Sequence, residues 1–170
     1  MKVIDYNGTG RWTLDAIRER YAEHALRSDV REPTLLTPRE HSEGGTRWIY
    51  PVMEQVIAGI SGGDPACVEL GVEFIEEDQR FPFGKRLKSN TARALRRASL
   101  EAGQVERVRN RVIGMLVAGQ VPHEFREFAR LLRKIGVGER WESVRQRLDR
   151  SNPYVMRFYD YLNAGSEHGA

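Results

Sequence analysis

The chain has 170 residues, 40% hydrophobic and 30% charged, with a formal net charge of +3 at pH 7. That length and apolar content fit one domain with a real core, and the absence of any run of ~18 apolar residues excludes a transmembrane helix. The start, MKVIDYNGTG, lacks the apolar stretch of a signal peptide, and one cysteine, Cys67, leaves no intrachain disulfide to form. These features predict a soluble, cytoplasmic protein that does not act on membranes.

In chain order, Lys2 to Tyr6 reads as a short strand with no evident partner. Asn7-Gly8-Thr9-Gly10 is turn chemistry. A helix is predicted from Thr13 to Leu26, with Trp12, Ile17 and Tyr21 on its apolar side. Residues 28–46 hold two prolines, two glycines and many polar groups, the composition of a long loop. Residues 1–46 therefore read as an N-terminal arm laid across a helical domain of residues 47–164. A tail at 165–170 is expected to be disordered.

The stretch from Tyr50 to Gln79 organises that domain. Val52, Met53, Val56, Ile57 and Ile60 share one helical face, and Gly62-Gly63 ends the helix. Asp64 is placed to cap the next helix and Pro65 to start it. Cys67, Val68, Leu70, Gly71, Val72, Phe74 and Ile75 form a wide apolar arc, which predicts a largely buried helix. Phe81-Pro82-Phe83 reads as an ordered connector. Helices follow at about 85–98, 104–118, 122–135, 138–149 and 153–162, the last capped by Asn152 and opened by Pro153.

An offset of 57 residues superposes Pro65 on Pro122, Val68 on Phe125, Val72 on Ala129, Phe74 on Leu131 and Ile75 on Leu132. Self-similarity of this kind suggests stacked helix pairs. On these residues, 50–136 loosely resembles HEAT-like helical repeats. The resemblance implies a helical surface for binding proteins or DNA. The fold class expected is all-α: stacked antiparallel helix pairs or an irregular bundle, with an extended N-terminal arm.

Charge is sorted by segment. Residues 48–80 carry one basic and seven acidic groups, and residues 81–118 carry nine basic and two acidic. Neighbouring blocks of opposite sign attract one another, which weakens the inference from a pI of about 9.2 to nucleic acid. Lys85, Arg86, Lys88, Arg93, Arg96, Arg97, Arg107, Arg111, Arg126, Arg130 and Arg133 form basic helix faces. They suit an acidic protein partner or phosphates. Otherwise they are solvated or internally paired.

Tyr154, Phe158 and Tyr161 form an aromatic face on the last helix. That face suits either core packing or a homodimer contact, since aromatics enrich interface cores. Stacking of a single strand on these rings beside arginine is a further option, although the sequence does not bring them to the basic faces. Glu69, Glu73, Glu76 and Glu77 form an acidic ridge, read as solvated or ion-paired in preference to metal-binding.

Gly59-Ile60-Ser61-Gly62-Gly63 matches G-x-S-x-G, but the segment before it is helical where a nucleophile elbow needs a strand. The four histidines show no ligand spacing, and no cofactor or catalytic set is expected. The reading is a non-enzymatic cytoplasmic protein-interaction module. Nucleic-acid binding through the basic faces is the alternative, and a metal enzyme using the acidic ridge comes third.

Overall fold

Two segments that read as strand-without-partner and loop form a sheet together. In a computed structural model, which describes residues 1–166, β1 (Lys2–Asp5) pairs parallel with β3 (Thr46–Ile49). β2 (Glu40–Glu43) pairs antiparallel with the other side of β3, giving the order β1-β3-β2. Gly44 and Gly45, at φ +55° and +76°, supply the left-handed pair that a two-residue hairpin turn requires. The register sets His41 opposite Trp48, and their rings stack at 5.5 Å. Arg47 grips Glu40 through two hydrogen bonds of 2.8 and 2.7 Å. The all-α expectation is thus corrected: the chain is predominantly helical with a small sheet.

The chain clusters into two units, Met1–Ser99 and the residues from Leu100 onward. The first holds the sheet, a 3-10 turn (Gly10–Trp12), α1 (Leu14–Arg27), α2 (Met53–Ser61), α3 (Pro65–Glu77) and α4 (Gly84–Arg97). Helix α3 is its centre and packs against α1, α2 and α4. Cys67, Leu70, Val72, Phe74 and Ile75 are almost fully buried, as the apolar arc requires. Two glycines let α2 approach. A Cβ on Gly59 would lie 2.3 Å from Cys67 Sγ, and one on Gly71 would lie 2.6 Å from Ile60 Cδ1.

The segment expected to be an arm is fixed to α3 by buried polar groups. Asp64 caps α3, its Oδ1 accepting from the amides of Ala66 (2.9 Å) and Cys67 (3.4 Å). Its Oδ2 accepts from the Tyr21 hydroxyl and the Thr34 hydroxyl, each at 2.6 Å. The Thr34 amide in turn donates to the Tyr21 oxygen at 2.7 Å. One turn before the end of α3, Glu73 accepts from Arg20 at 2.6 Å and pairs with His24 at 2.9 Å. Glu77 accepts from Trp12 Nε1 at 2.7 Å and from Arg11 at 2.9 Å. Asn7 accepts from the Val52 amide at 2.8 Å, tying the strand end to the start of α2.

The second unit contains α5 (Ala102–Val117), α6 (Phe125–Ile135), α7 (Trp141–Arg145) and α8 (Pro153–Ser166). Helix α6 packs against α5 and α8 around Val112, Leu116, Phe125, Phe128, Leu132 and Val155. Arg109 of α5 donates to the carbonyls of Gly136 (3.0 Å) and Ile135 (3.4 Å). It therefore satisfies the C-terminal end of α6 with a cation, where the helix dipole favours one. Trp141 stacks on Tyr159 at 5.2 Å, and its indole donates to Asn163 at 3.2 Å.

Three sequence boundaries shift. Helix α6 begins three residues after Pro122, with the Phe125 amide turning back to the Pro122 carbonyl. The helix expected over 138–149 shortens to α7, since few apolar residues support it. Gly165 and Ser166 belong to α8, and the rest of the expected tail, 167–170, lies outside the described residues.

Burial alone would raise the Asp64 carboxyl. The hydroxyls of Thr34 and Tyr21 and the amides of Ala66 and Cys67 outweigh it and hold the group below its ordinary 3.8. The unfolded chain therefore takes up this proton first on acidification, so the Asp64 contribution is complete above 3.8 and is lost as pH falls through the lower folded value. Asp64→Ala is expected to cost about 2–4 kcal/mol, combining a lost cap with two stranded hydroxyls. Urea melts of the wild-type chain and Asp64→Asn should converge only in that acid window; curves that stay parallel there would contradict the assignment.

Candidate functional site

The eleven basic residues singled out in the sequence do not form one surface class. In the first unit, Arg86 donates to Glu54 at 2.9 Å. Lys88 is buried and pairs with Asp78 at 2.8 Å, locking the end of α3 to α4. Arg93 donates to Asn90 at 3.2 Å. Lys85 and Arg97 are exposed, and Arg96 is half-buried and engaged. In the second unit, Arg107 and Arg111 of α5 are half-buried and engaged as well. Most of these cations are committed to internal partners, and Lys88 is withdrawn from the surface altogether.

Arg126 and Arg130 have a different setting. With His123 and Ala129 they form one wall of a groove of about 460 Å³, whose other wall is Tyr154, Arg157, Phe158 and Tyr161 of α8. Arg133 does not line the groove; its guanidinium lies 4.6 Å from the ring centre of Tyr161. Three of the eleven basic residues are thus brought beside the aromatic set: Arg126 and Arg130 in the groove, and Arg133 against Tyr161. Helical spacing explains the convergence. Arg126, Arg130 and Arg133 recur at i, i+4 and i+7, and Tyr154, Phe158 and Tyr161 do the same. The opposite face of α6 is held in the core by Phe125, Phe128, Leu131 and Leu132. On α8, Asn152 fixes the helix start by accepting from the amides of Tyr154 (3.0 Å) and Val155 (3.3 Å).

No carboxylate is found among the described residues that line the groove. Just beneath it, buried Glu127 accepts from Arg130 at 2.8 Å and holds that guanidinium in place. An arginine has five donors in a planar fork, so Arg130 keeps others for a ligand. Tyr154 is 67% exposed. Phe158 is half-buried and meets Phe125 edge-on at 4.8 Å. Arg157 was not picked out from the sequence, although its spacing, three after Tyr154 and four before Tyr161, puts it on the same face.

The acidic ridge is taken up by structure. Glu73 and Glu77 face the N-terminal segment through Arg20, His24, Trp12 and Arg11. Burial lowers the Arg20 pKa, with Glu73 acting against it. Among the described residues, no three His, Cys, Asp or Glu side chains gather as a metal site would need. Ser61 lies in the last turn of α2, exposed, its hydroxyl donating to the Ile57 carbonyl at 3.3 Å. The amides at the start of α3 are already used by Asp64, which fills the place an anion would take. Among the described residues, no helix is long and apolar enough to cross a membrane.

Compared with known proteins, the chain matches no family model, no curated protein and no solved structure.

Cys67 is fully buried, and burial pushes its thiol up to about 12. The native chain should therefore resist a thiol reagent at neutral pH by a factor of about 10³ relative to the urea-unfolded chain. Comparable rates in both states would show that α2 and α3 open readily around Gly59.

Proposed function

We propose that this chain is a non-enzymatic interaction module whose groove between α6 and α8 docks an acidic segment of a protein partner. The observation that carries the reading is a concave lining of arginines and aromatic rings, with no carboxylate among the described residues that form it. Arginine and tyrosine are, with tryptophan, the residues enriched at binding hot spots, and a preorganised guanidinium suits a carboxylate better than a lysine does. The groove's volume lies in the range of ligand sites. Elsewhere, Asp64, Glu73 and Glu77 are bound to internal partners, which favours binding over catalysis.

Helix pairs remain the framework of the proposal, in the loose likeness to HEAT-type repeats, and the packed pair α2–α3 supports it. A cytoplasmic setting is part of it too, supported by a single buried free thiol. The second reading is a single-stranded nucleic acid, favoured by rings that alternate with arginines across the groove. A homodimer contact through Tyr154, Phe158 and Tyr161 would occupy the same face.

Anisotropy with a fluorescent acidic peptide and an equally labelled oligonucleotide separates these readings. The Arg126→Glu/Arg157→Glu double variant is expected to weaken acidic-peptide binding by about tenfold or more. The Lys85→Glu/Arg97→Glu double variant on α4 should change it less than about twofold. Peptide binding untouched by the groove variant would overturn the proposal, and a concentration-dependent mass that disappears in Tyr154→Ala would assign the face to a second copy.

A further inference from the structure

The two walls of the α6–α8 groove differ in chemistry, and the difference constrains what lies between them. The α6 wall presents Arg126 and Arg130 one turn apart, with the small Ala129 between them. The α8 wall presents Tyr154, Phe158 and Tyr161, with Arg157 among them. Side chains four apart on a helix are separated by about 5–6 Å at Cβ. Side chains two apart on an extended strand are separated by about 6.5–7 Å and point the same way, while the one between points opposite.

We infer that the groove reads an extended peptide in which acidic residues alternate with an apolar or aromatic one. This deepens the acidic-partner reading above and rests on it. The two acidic side chains face Arg126 and Arg130 on α6. The intervening side chain faces the rings of α8, and Arg157 lies near the second carboxylate. Glu127 fixes Arg130 from beneath, so that guanidinium is oriented before the ligand arrives. The shallow side chain of Ala129 leaves room for the peptide backbone between the arginines.

The same geometry favours a peptide over a single-stranded nucleic acid. A stacking platform needs ring faces open to successive bases. Here Tyr161 carries Arg133 against its ring and Phe158 is wedged against Phe125, which leaves Tyr154 as the broadly exposed ring. One open ring does not make a ladder. A peptide side chain needs only an edge or a partly covered face, and the half-buried rings supply that.

The test uses the full chain and three labelled peptides of equal length. One carries Glu-Phe-Glu in the centre, one the same residues as Glu-Glu-Phe, and one Gln-Phe-Gln. A single-stranded oligonucleotide forms the fourth arm. The alternating peptide is expected to bind about fivefold tighter than the block peptide and about tenfold tighter than the neutral one. Tyr154→Ala should erase the preference for alternation, and Arg126→Gln should reduce the preference for acid; both sites are exposed, so the fold is retained. Equal binding of the alternating and block peptides overturns the alternation inference and leaves the acidic-partner reading standing. Failure of both acidic peptides to bind overturns both, and an oligonucleotide that binds tighter than any peptide assigns the groove to nucleic acid.

Discussion

The fold of the first unit depends on the carboxylates of α3. This helix is buried on nearly every side, yet it carries Asp64 at its start and Glu73 and Glu77 in its last turns. A buried carboxylate without partners is costly, so the chain before α2 has to supply donors. Tyr21 and Thr34 meet Asp64, Arg20 and His24 meet Glu73, and Trp12 and Arg11 meet Glu77. The N-terminal segment is therefore integral to the unit, with β1 paired to β3 and Asn7 tied to the start of α2.

That arrangement also decides where charge is left over. Up to Ser99 the chain has fifteen basic and fifteen acidic residues, and from Leu100 it has twelve and nine. The whole surplus of +3 lies in the second unit. Within that unit, Arg109 is spent on the end of α6 and Arg130 is half spent on Glu127. Among the described residues of the groove lining, Arg126 and Arg157 meet no carboxylate. A local excess of cations beside aromatic rings is what an acidic segment would recognise, and such charge acts on association rate as well as affinity.

Much of this was legible in the residues. The Gly62-Gly63-Asp64-Pro65 signal defined the α2–α3 turn, because cap, proline and glycine each have one physical role there. Asn152-Pro153 did the same for α8. The sheet was not legible: β1 pairs with a strand more than forty residues away, and β2 is fully exposed, so neither shows an apolar alternation. The basic residues were legible as a set but not in their use. Spacing on one helix cannot say that Lys88 turns inward to Asp78, or that α8 comes to lie beside Arg126 and Arg130. Arg157 could have been found, since it shares a helical face with Tyr154 and Tyr161, but a lone arginine in an aromatic stripe carried no charge pattern of its own.

The most direct measurement is amide hydrogen exchange across the full chain, with and without a saturating acidic peptide. Slowed exchange is expected in residues 123–135 and 153–161, with Met1–Ser99 unchanged. Protection confined to the first unit, or none anywhere while the peptide is bound, would contradict the assignment of the α6–α8 groove as the binding face.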